Sequence, residues 1–361
     1  MAVEIRPISG DNEAGTVQKV GRRSFHPILG LIVTRPKWGF AAWDAESCVG
    51  GVILGEHGRF GVVEFIFVTK AGRGRGLGKA LTDYAMEAFA ERGLEYSAAS
   101  VRDDNTASWN LFAGRGHKAY TPVRAIREFG FGQWLRLTLT TAQFFAFGFD
   151  LWIGSVDEAR KPDADSTLSV ADTVPGTSLS TLLVFYLIHM VVVTSAFWQD
   201  GAGAAPWAIA VGGLLTFRLL VSYVATLPFF RPARLRMARG GHVTDFIINA
   251  VGSFFFYPAY WHPNQTRWRE PDFRTGLGVS AMAGGLSQVA VVVAASLVLP
   301  GLTGSGVLAV SLALAIDIGK LMLIIDLQPL FEAWSGPRIL RWNLWAYLVT
   351  AAAAVATIIW A

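Results

Sequence analysis

"VTKAGRGRGLGKAL", residues 68–81, sets glycines and arginines in alternation between two segments of regular structure. Upstream, "RFGVVEFIFV" (59–68) is dense in β-branched and aromatic residues and reads as a strand. Downstream, "LGKALTDYAMEAFAERG" (77–93) places Leu77, Leu81, Tyr84, Ala85, Ala88 and Phe89 on one face of a helix. A helix N-terminus presents unpaired N–H groups and a partial positive charge, which suits an anion. Glycines let the backbone come close to that anion, and Arg73, Arg75 and Lys79 supply charge-assisted hydrogen bonds. Two familiar phosphate motifs do not fit. A P-loop needs a glycine where Arg73 stands and a hydroxyl residue where Ala80 stands; a dinucleotide fingerprint begun at Gly72, Gly74 or Gly76 meets Leu77, Lys79 or Leu81 at its last glycine. Taken alone, the stretch is either an anion cradle or a glycine-rich turn with solvated arginines.

The elements around it narrow the choice. "AVEIRPI" is a short strand and "GDNEAGTVQKV" an acidic helix start; "WGFAAWD" and "SCVGGVILGE" are strands meeting at a tight turn around Ala45. After the helix come a strand "YSAASV", a short helix "NTASWNLFAGRG" and a final strand "HKAYTPV". The order predicts an α+β layer arrangement of roughly 120 residues. Glu64 alternates with Ile66 and Val68 along its strand, so the pattern puts all three on one side of the sheet.

In that setting Arg73, Gly76 and Gly78 spell R-x-x-G-x-G, which resembles the pyrophosphate-binding motif of the GNAT (GCN5-related) N-acetyltransferase superfamily. "NTASWNLFAGRGH", with Asn105, Ser108, Leu111, Phe112 and Gly116, is similar to the family's N-x-x-A-x-x-L-Y-x-x-x-G-F helix. The resemblance covers residues 2 to about 122 and includes the element order. It implies that acetyl-CoA, or a longer acyl-CoA, is the donor and wedges between the strand ending at Val68 and the strand 96–101. It implies a pyrophosphate cradle at Arg73, Gly74, Arg75, Gly76, Leu77, Gly78 and Lys79, with Asn105 and Phe112 adjoining from the second motif. Backbone N–H groups at Phe67, Val68 and Thr69 would polarise the thioester carbonyl. An attacking amine must be neutral, and Glu64 is the candidate base; the plainer alternative is a surface carboxylate. Asp103 and Asp104 are further base candidates, with helix capping as their simpler role. Phe112 stands where many family members carry a tyrosine that protonates the leaving thiolate; His117 and Tyr120 lie close by, structural roles being the plainer reading for both.

The remainder has a different composition. Up to Pro122 there are 15 Lys/Arg and 13 Asp/Glu; the rest, nearly twice as long, holds 16 and 14. The whole chain of 361 residues is 52% hydrophobic with 13 Trp and 24 Phe. Five apolar runs are long enough to span a bilayer: 179–198, 207–230, 275–302, 307–330 and 342–361. Two more, 131–154 and 243–261, are interrupted by Arg136 and Asp150 or by Asp245 and Pro258. "RPARLRMARGGH" (231–242) has four arginines and no acid, which places it on the cytoplasmic side. Five crossings with two interfacial segments satisfy that rule; seven full crossings put the arginine loop outside. Arg218, Asp245, Asp317, Lys320 and Asp326 lie within apolar runs, where charge is costly, and Asp317 and Lys320 are spaced to neutralise one another. "YWHPNQTRWREPDFR" (260–274) suits either headgroup recognition or anchoring at a membrane edge.

These readings predict an α+β GNAT-like acyl-CoA N-acyltransferase domain over residues 1–123, fused to an all-α polytopic membrane domain of five to seven helices over 124–361. The N-terminus has no apolar h-region, so the first domain is expected in the cytoplasm and the chain in the cell membrane. The expected partners are the lipid bilayer, acyl-CoA and an amine acceptor that could be lipid-linked. The net charge of +4 comes without a nucleic-acid motif, and one cysteine with scattered histidines predicts no metal site. The competing reading is a CoA-sensing regulatory domain on a transporter or channel.

Overall fold

The computed structural model describes residues 3–25, 30–102, 105–141, 149–160, 187, 204–237, 259–264, 270–302, 306–328 and 335–361. They belong to two compact units, Met1–Gln143 with Phe149–Val174, and Phe144–Gly148 with Pro175–Ala361.

In the first unit, β1 (Glu4–Pro7), β2 (Gly39–Asp44), β3 (Ser47–His57) and β4 (Phe60–Val68) form an antiparallel run, with α1 (Gly10–Ser24) between β1 and β2. The β2–β3 turn is tight enough to hold Ala45 at φ 53°. Helix α2 (Leu77–Glu91) leads to β5 (Tyr96–Arg102), which lies parallel to β4. Then come α3 (Thr106–Ala113), β6 (Lys118–Tyr120), α4 (Pro122–Phe129), α5 (Phe131–Thr140), β7 (Phe149–Ser155) and the short α6 (Val156–Ala159). The sheet order is β1-β2-β3-β4-β5-β7-β6.

The two faces carry different layers. On one, α1 lies over β3 and β4: a Cβ on Gly51 would touch both Val17 and Phe67. The same face takes α4 and α5, where Ala125 and Leu137 join Phe60, Val62, Ala98, Leu151 and Ile153. On the other, α2 sets Leu81 against Gly50 and Phe89 against Gly61, and Trp109 of α3 lies against Trp152 of β7. Tyr84 is exposed, whereas Thr82 and Met86 are fully buried, so the buried face of α2 is rotated slightly from the expected one.

Strand β7 corrects two expectations. Residues 131–154 are not one apolar segment: they hold α5 and most of β7, whose residues 149–155 pair with β5 and 151–153 also with β6. The strand at 118–120 is therefore not the last, and the first unit extends past residue 123. A strand paired on both sides and covered on both faces reads as a continuous apolar run, "FDLWIGS", which periodicity alone does not separate from a buried helix.

The second unit contains α7 (Ala204–Thr226), β8 (Ala233–Met237), β9 (Ala259–Pro263), α8 (Glu270–Val298), α9 (Val307–Leu327), α10 (Ser335–Trp342) and α11 (Leu344–Trp360). Trp207, Val211, Leu214 and Leu215 of α7 interlock with Ile318 and Met322 of α9. Small residues let α8 approach its neighbours: Gly284 lies against Ser222 and Gly278 against Trp342. Three helices, Ala205–Thr226, Pro271–Gly301 and Val307–Leu327, are long and apolar enough to cross a membrane; Leu344–Trp360 is apolar but shorter. Leu220, Val224, Leu297, Leu308 and Ile359 are exposed on these helices, an arrangement that suggests a membrane protein. The expected run at 179–198, and Asp245 with most of 243–261, lie outside the described residues.

This unit is not all-α. β8 and β9 pair antiparallel, with Arg234 opposite His262, Leu235 opposite Trp261 and Arg236 opposite Tyr260. The alternation in "ARLRM" is a strand pattern, masked by reading the segment for its charge. Arg236, Tyr260 and His262 are buried, which takes Tyr260 and His262 out of the surface roles expected of 260–274, while Trp261 is half-buried and donates to the Leu219 carbonyl (2.9 Å). Two residues read separately from the sequence form one buried pair: Arg218 donates to both oxygens of Asp326 (3.0 and 3.2 Å), to Ser335 Oγ and to the Ala259 carbonyl. Asp317 is exposed, and among the described residues no ion pair joins it to Lys320.

Candidate functional site

Strands β4 and β5 separate part-way along their length. Their parallel pairing runs from Phe60↔Tyr96 to Val63↔Ala99 and stops, while β4 continues to Val68 and β5 to Arg102. The gap opens a cleft of about 350 Å³. Arg73, Asn105, Ser108 and Phe112 line it on the α2 and α3 side, and Phe25, Glu64, Phe65, Ser100 and Phe149 on the α1 side.

Backbone alternation decides which groups of β4 face the gap. Thr69 N–H donates to the Val49 carbonyl (2.9 Å), so 49/69 is a hydrogen-bonded pair and Gly50↔Val68 is not. Counting back, Phe67 bonds to β3, whereas Val68 and Ile66 turn their N–H groups toward the β5 side. Of the three residues expected to polarise a carbonyl, only Val68 has its N–H toward the cleft. Phe67 and Thr69 are committed to β3, Thr69 through its hydroxyl as well (3.1 Å). Ile66, in a non-hydrogen-bonded pair with Val52, turns its N–H to the same side as Val68.

Of the loop only Arg73 lines the cleft; beyond it Gly74 and Gly76 take φ +77° and +73°, and a Cβ at either would meet nothing within 4 Å. Gly76 caps α2, whose first intrahelical bond runs from Ala80 N to the Gly76 carbonyl (3.1 Å). The N–H groups of Leu77, Gly78 and Lys79 therefore point off the helix end, into open space beside the exposed Arg73. These residues fit a pyrophosphate. Arg75 is a partial exception: it donates to Asp44 (2.6 Å), which holds the Asp44 carboxyl below its usual range. Leu77 contributes backbone only, since its side chain is in the core. Asn105 caps α3, accepting from Ser108 N (3.2 Å), a role expected of the preceding aspartates; Asp103 and Asp104 lie outside the described residues.

Glu64 does not sit where alternation put it. The β3–β4 register passes from Ile53↔Phe65 to Leu54↔Val63, so Glu64 is the extra residue of a β-bulge. The bulge turns its carboxylate over Gly55, on the α1 face and opposite to Ile66 and Val68. Burial raises the Glu64 pKa from the ordinary carboxylate value, against the opposing pull of Lys37. His117 is wholly buried, 2.6 Å from Ser97 Oγ, and burial depresses its pKa to about 4. Tyr120 donates to Glu128 (2.9 Å), and burial first, then that bond, pushes its pKa up to about 12. Neither lines the cleft.

Three contributors carried little sequence signal. Gly55 clears the space that Glu64 fills, and a glycine inside a strand does signal close approach. Arg115 binds Asp83, the Leu111 carbonyl and the Lys79 carbonyl (3.1 Å), tying α3 to the first turn of α2. Phe149 belongs to the strand that sequence reading assigned elsewhere.

Residues 20–117 match the model of the Acetyltransferase (GNAT) family. That segment is a GNAT acetyltransferase domain, a class defined by acyl transfer from CoA. Similar solved structures include ribosomal-protein-S18-alanine N-acetyltransferase from Escherichia coli, 13% identical over 46% of this chain and 99% of that one, TM-score 0.33. PaiA N-acetyltransferase from Thermoplasma acidophilum, in complex with coenzyme A, is 12% identical over 43% and 99%, TM-score 0.32. IAA acetyltransferase from Bacillus cereus is 14% identical over 43% and 99%, TM-score 0.31. No curated protein matches the chain.

Proposed function

We propose that the chain is a membrane-embedded N-acyltransferase, moving an acetyl or longer acyl group from CoA to an amine presented at the membrane, with its first unit on the cytoplasmic side. The observation that carries this reading is the splay beyond Val63↔Ala99, with an anion cradle on one side of the sheet and the Glu64 carboxylate on the other.

Acetyl-CoA supplies the activated acyl carbon and a thiolate leaving group, which departs readily near neutral pH. Arg73 and the N–H groups opening α2 hold the pyrophosphate. Val68 and Ile66 N–H groups lie along the gap, positioned to donate to the acyl oxygen as negative charge develops there. Glu64 takes a proton from the ammonium of the acceptor, freeing the nitrogen lone pair; a thiol and an amide are left, and Glu64 releases its proton to solvent. Phe112 lines the thiol side without a proton to give, so the leaving group departs unassisted by it.

Titration of the full chain in detergent with labelled acetyl-CoA tests the reading, beside Arg73→Glu/Gly76→Asp. Saturable binding lost in the variant, together with thiol release once amines are added, is the expected result. Binding without turnover on any amine would instead favour the CoA-sensing reading.

A further inference from the structure

Glu64 and Ser100 are the first residues beyond the last β4–β5 pair, one on each strand. Both are on the α1 face: Glu64 through its bulge over Gly55, Ser100 because it is cross-strand to Leu151, in the cluster with Val62 and Ala98. Ser100 Oγ is buried and lacks a hydrogen-bond partner among the described residues, while its residue lines the cleft. A buried hydroxyl in this state awaits a polar atom. Around these two groups the same side holds phenyl rings, Phe25 and Phe65 meeting edge-to-face at 5.8 Å and Phe149 following from β7, with Ser24 at the end of α1 and Arg102, cross-strand to Phe149, also on the lining. Glu64 is the one carboxylate among the described lining residues.

We infer that the acceptor is a primary amine with a single positive charge on an alkyl or aromatic group, its nitrogen held between Glu64 and Ser100 and its apolar part against Phe25, Phe65 and Phe149. The inference rests on the acyltransferase reading and narrows its substrate. The ammonium donates to the Glu64 carboxylate and to Ser100 Oγ, the two groups that flank the start of the splay. After Glu64 removes one proton, Ser100 Oγ still accepts from a remaining N–H and keeps the lone pair aimed through the splay. Ser100 is thus a positioning residue that touches the acceptor, and the raised pKa of Glu64 suits its receipt of a proton. A second ammonium, as in a polyamine or lysine, would meet phenyl rings and the Arg102 end of β5 instead of a second carboxylate, and placing it there is costly. The apolar group can belong to a free amine or to an aminolipid; both present the same chemistry.

The test measures product by mass spectrometry and thiol release with the full chain in detergent. The acceptors are phenethylamine and octylamine in solution, phosphatidylethanolamine in mixed micelles, spermidine and lysine. The expected kcat/KM for at least one apolar amine is about tenfold or more above spermidine and lysine. Phenethylamine and octylamine against phosphatidylethanolamine then tells a free amine from a lipid-borne one. Ser100→Ala is expected to raise the acceptor KM about tenfold with the acetyl-CoA KM unchanged. Phe149→Ala is expected to narrow the preference for apolar amines, a readout that a merely structural role would not move. Preferential acetylation of spermidine or lysine would overturn this inference and leave the acyltransferase reading standing. Acetyl-CoA binding with no amine acetylated would overturn both.

Discussion

The Glu64 carboxylate occupies the space above Gly55: a Cβ built on that glycine would come within 2.5 Å of Glu64 Oε1. The two residues are not register partners, since Gly55 pairs with Val62 and Glu64 is the bulge. The bulge aims the side chain and the glycine gives it room. The carboxylate proposed as the base, on a central strand, is thereby brought to the face opposite its sequence neighbours Ile66 and Val68.

Substitution of that glycine tests the arrangement. In Gly55→Ala the new methyl meets the tip of a flexible side chain, so the carboxylate gives way before the backbone does. The expected result is a fall in kcat of about tenfold or more, since misplaced catalytic groups are costly. The Kd for acetyl-CoA should stay within about twofold. Equal loss of binding and turnover would mean that the substitution disturbs the sheet rather than Glu64.

The pH dependence of kcat addresses the same carboxylate. A base acts only when deprotonated, and burial raises the Glu64 pKa. The rate should therefore fall, as pH is lowered, through a limb lying above the ordinary carboxylate value near 4.5. Glu64→Gln should lower kcat and remove that limb. A limb that persists unmoved in the variant assigns the base to another group.

The sequence announced this site unevenly. The glycine loop and every strand from β1 to β5 were legible, because turn chemistry and hydrophobic period are local. The splay at Val63↔Ala99 was accessible only through the family resemblance of Arg73, Gly76 and Gly78. The side on which Glu64 falls depends on one unpaired residue in the β3–β4 register, which period-two reading assumes away. β7 was illegible for a different reason. Pairing on both sides and cover on both faces make its composition that of a membrane segment. In the second unit, Arg218 and Asp326 were each conspicuous as charges, but their pairing spans more than a hundred residues and leaves no local trace.

His117 offers a stability measurement. Its folded-state pKa is about 4, below the ordinary 6.5, because burial disfavours the imidazolium. Between those values the unfolded chain binds a proton that the folded chain does not, so stability falls as pH drops from 6.5 to about 4. The full contribution is on the order of 3 kcal/mol. His117→Gln lacks a titrating group, so its stability should fall less over the same window. Cys48, the sole cysteine, lies in β3 and reports opening of this unit. Urea unfolding of the full chain, followed with a thiol reagent active at acid pH, makes the comparison. Parallel pH profiles for the two proteins would show that His117 is not the group responsible.

The Arg218–Asp326 pair calls for a double-mutant comparison. Asp326 is fully buried and Arg218 is 5% exposed, so both charges have left water. Removing one charge alone breaks the pair: Asp326→Leu takes away the carboxylate that accepts both Arg218 hydrogen bonds at 3.0 and 3.2 Å. Such a loss typically costs about 3–5 kcal/mol, whereas replacing both charges with apolar groups is often close to neutral. For a unit of this size, the single variant should lower Tm by on the order of 10 °C in detergent. Arg218→Met/Asp326→Leu should recover most of that loss. If the double variant is as unstable as the single one, the pair contributes something apolar packing cannot replace. The hydrogen bonds from Arg218 to the β9 carbonyl and to the start of α10 would then be what fixes those elements around α7.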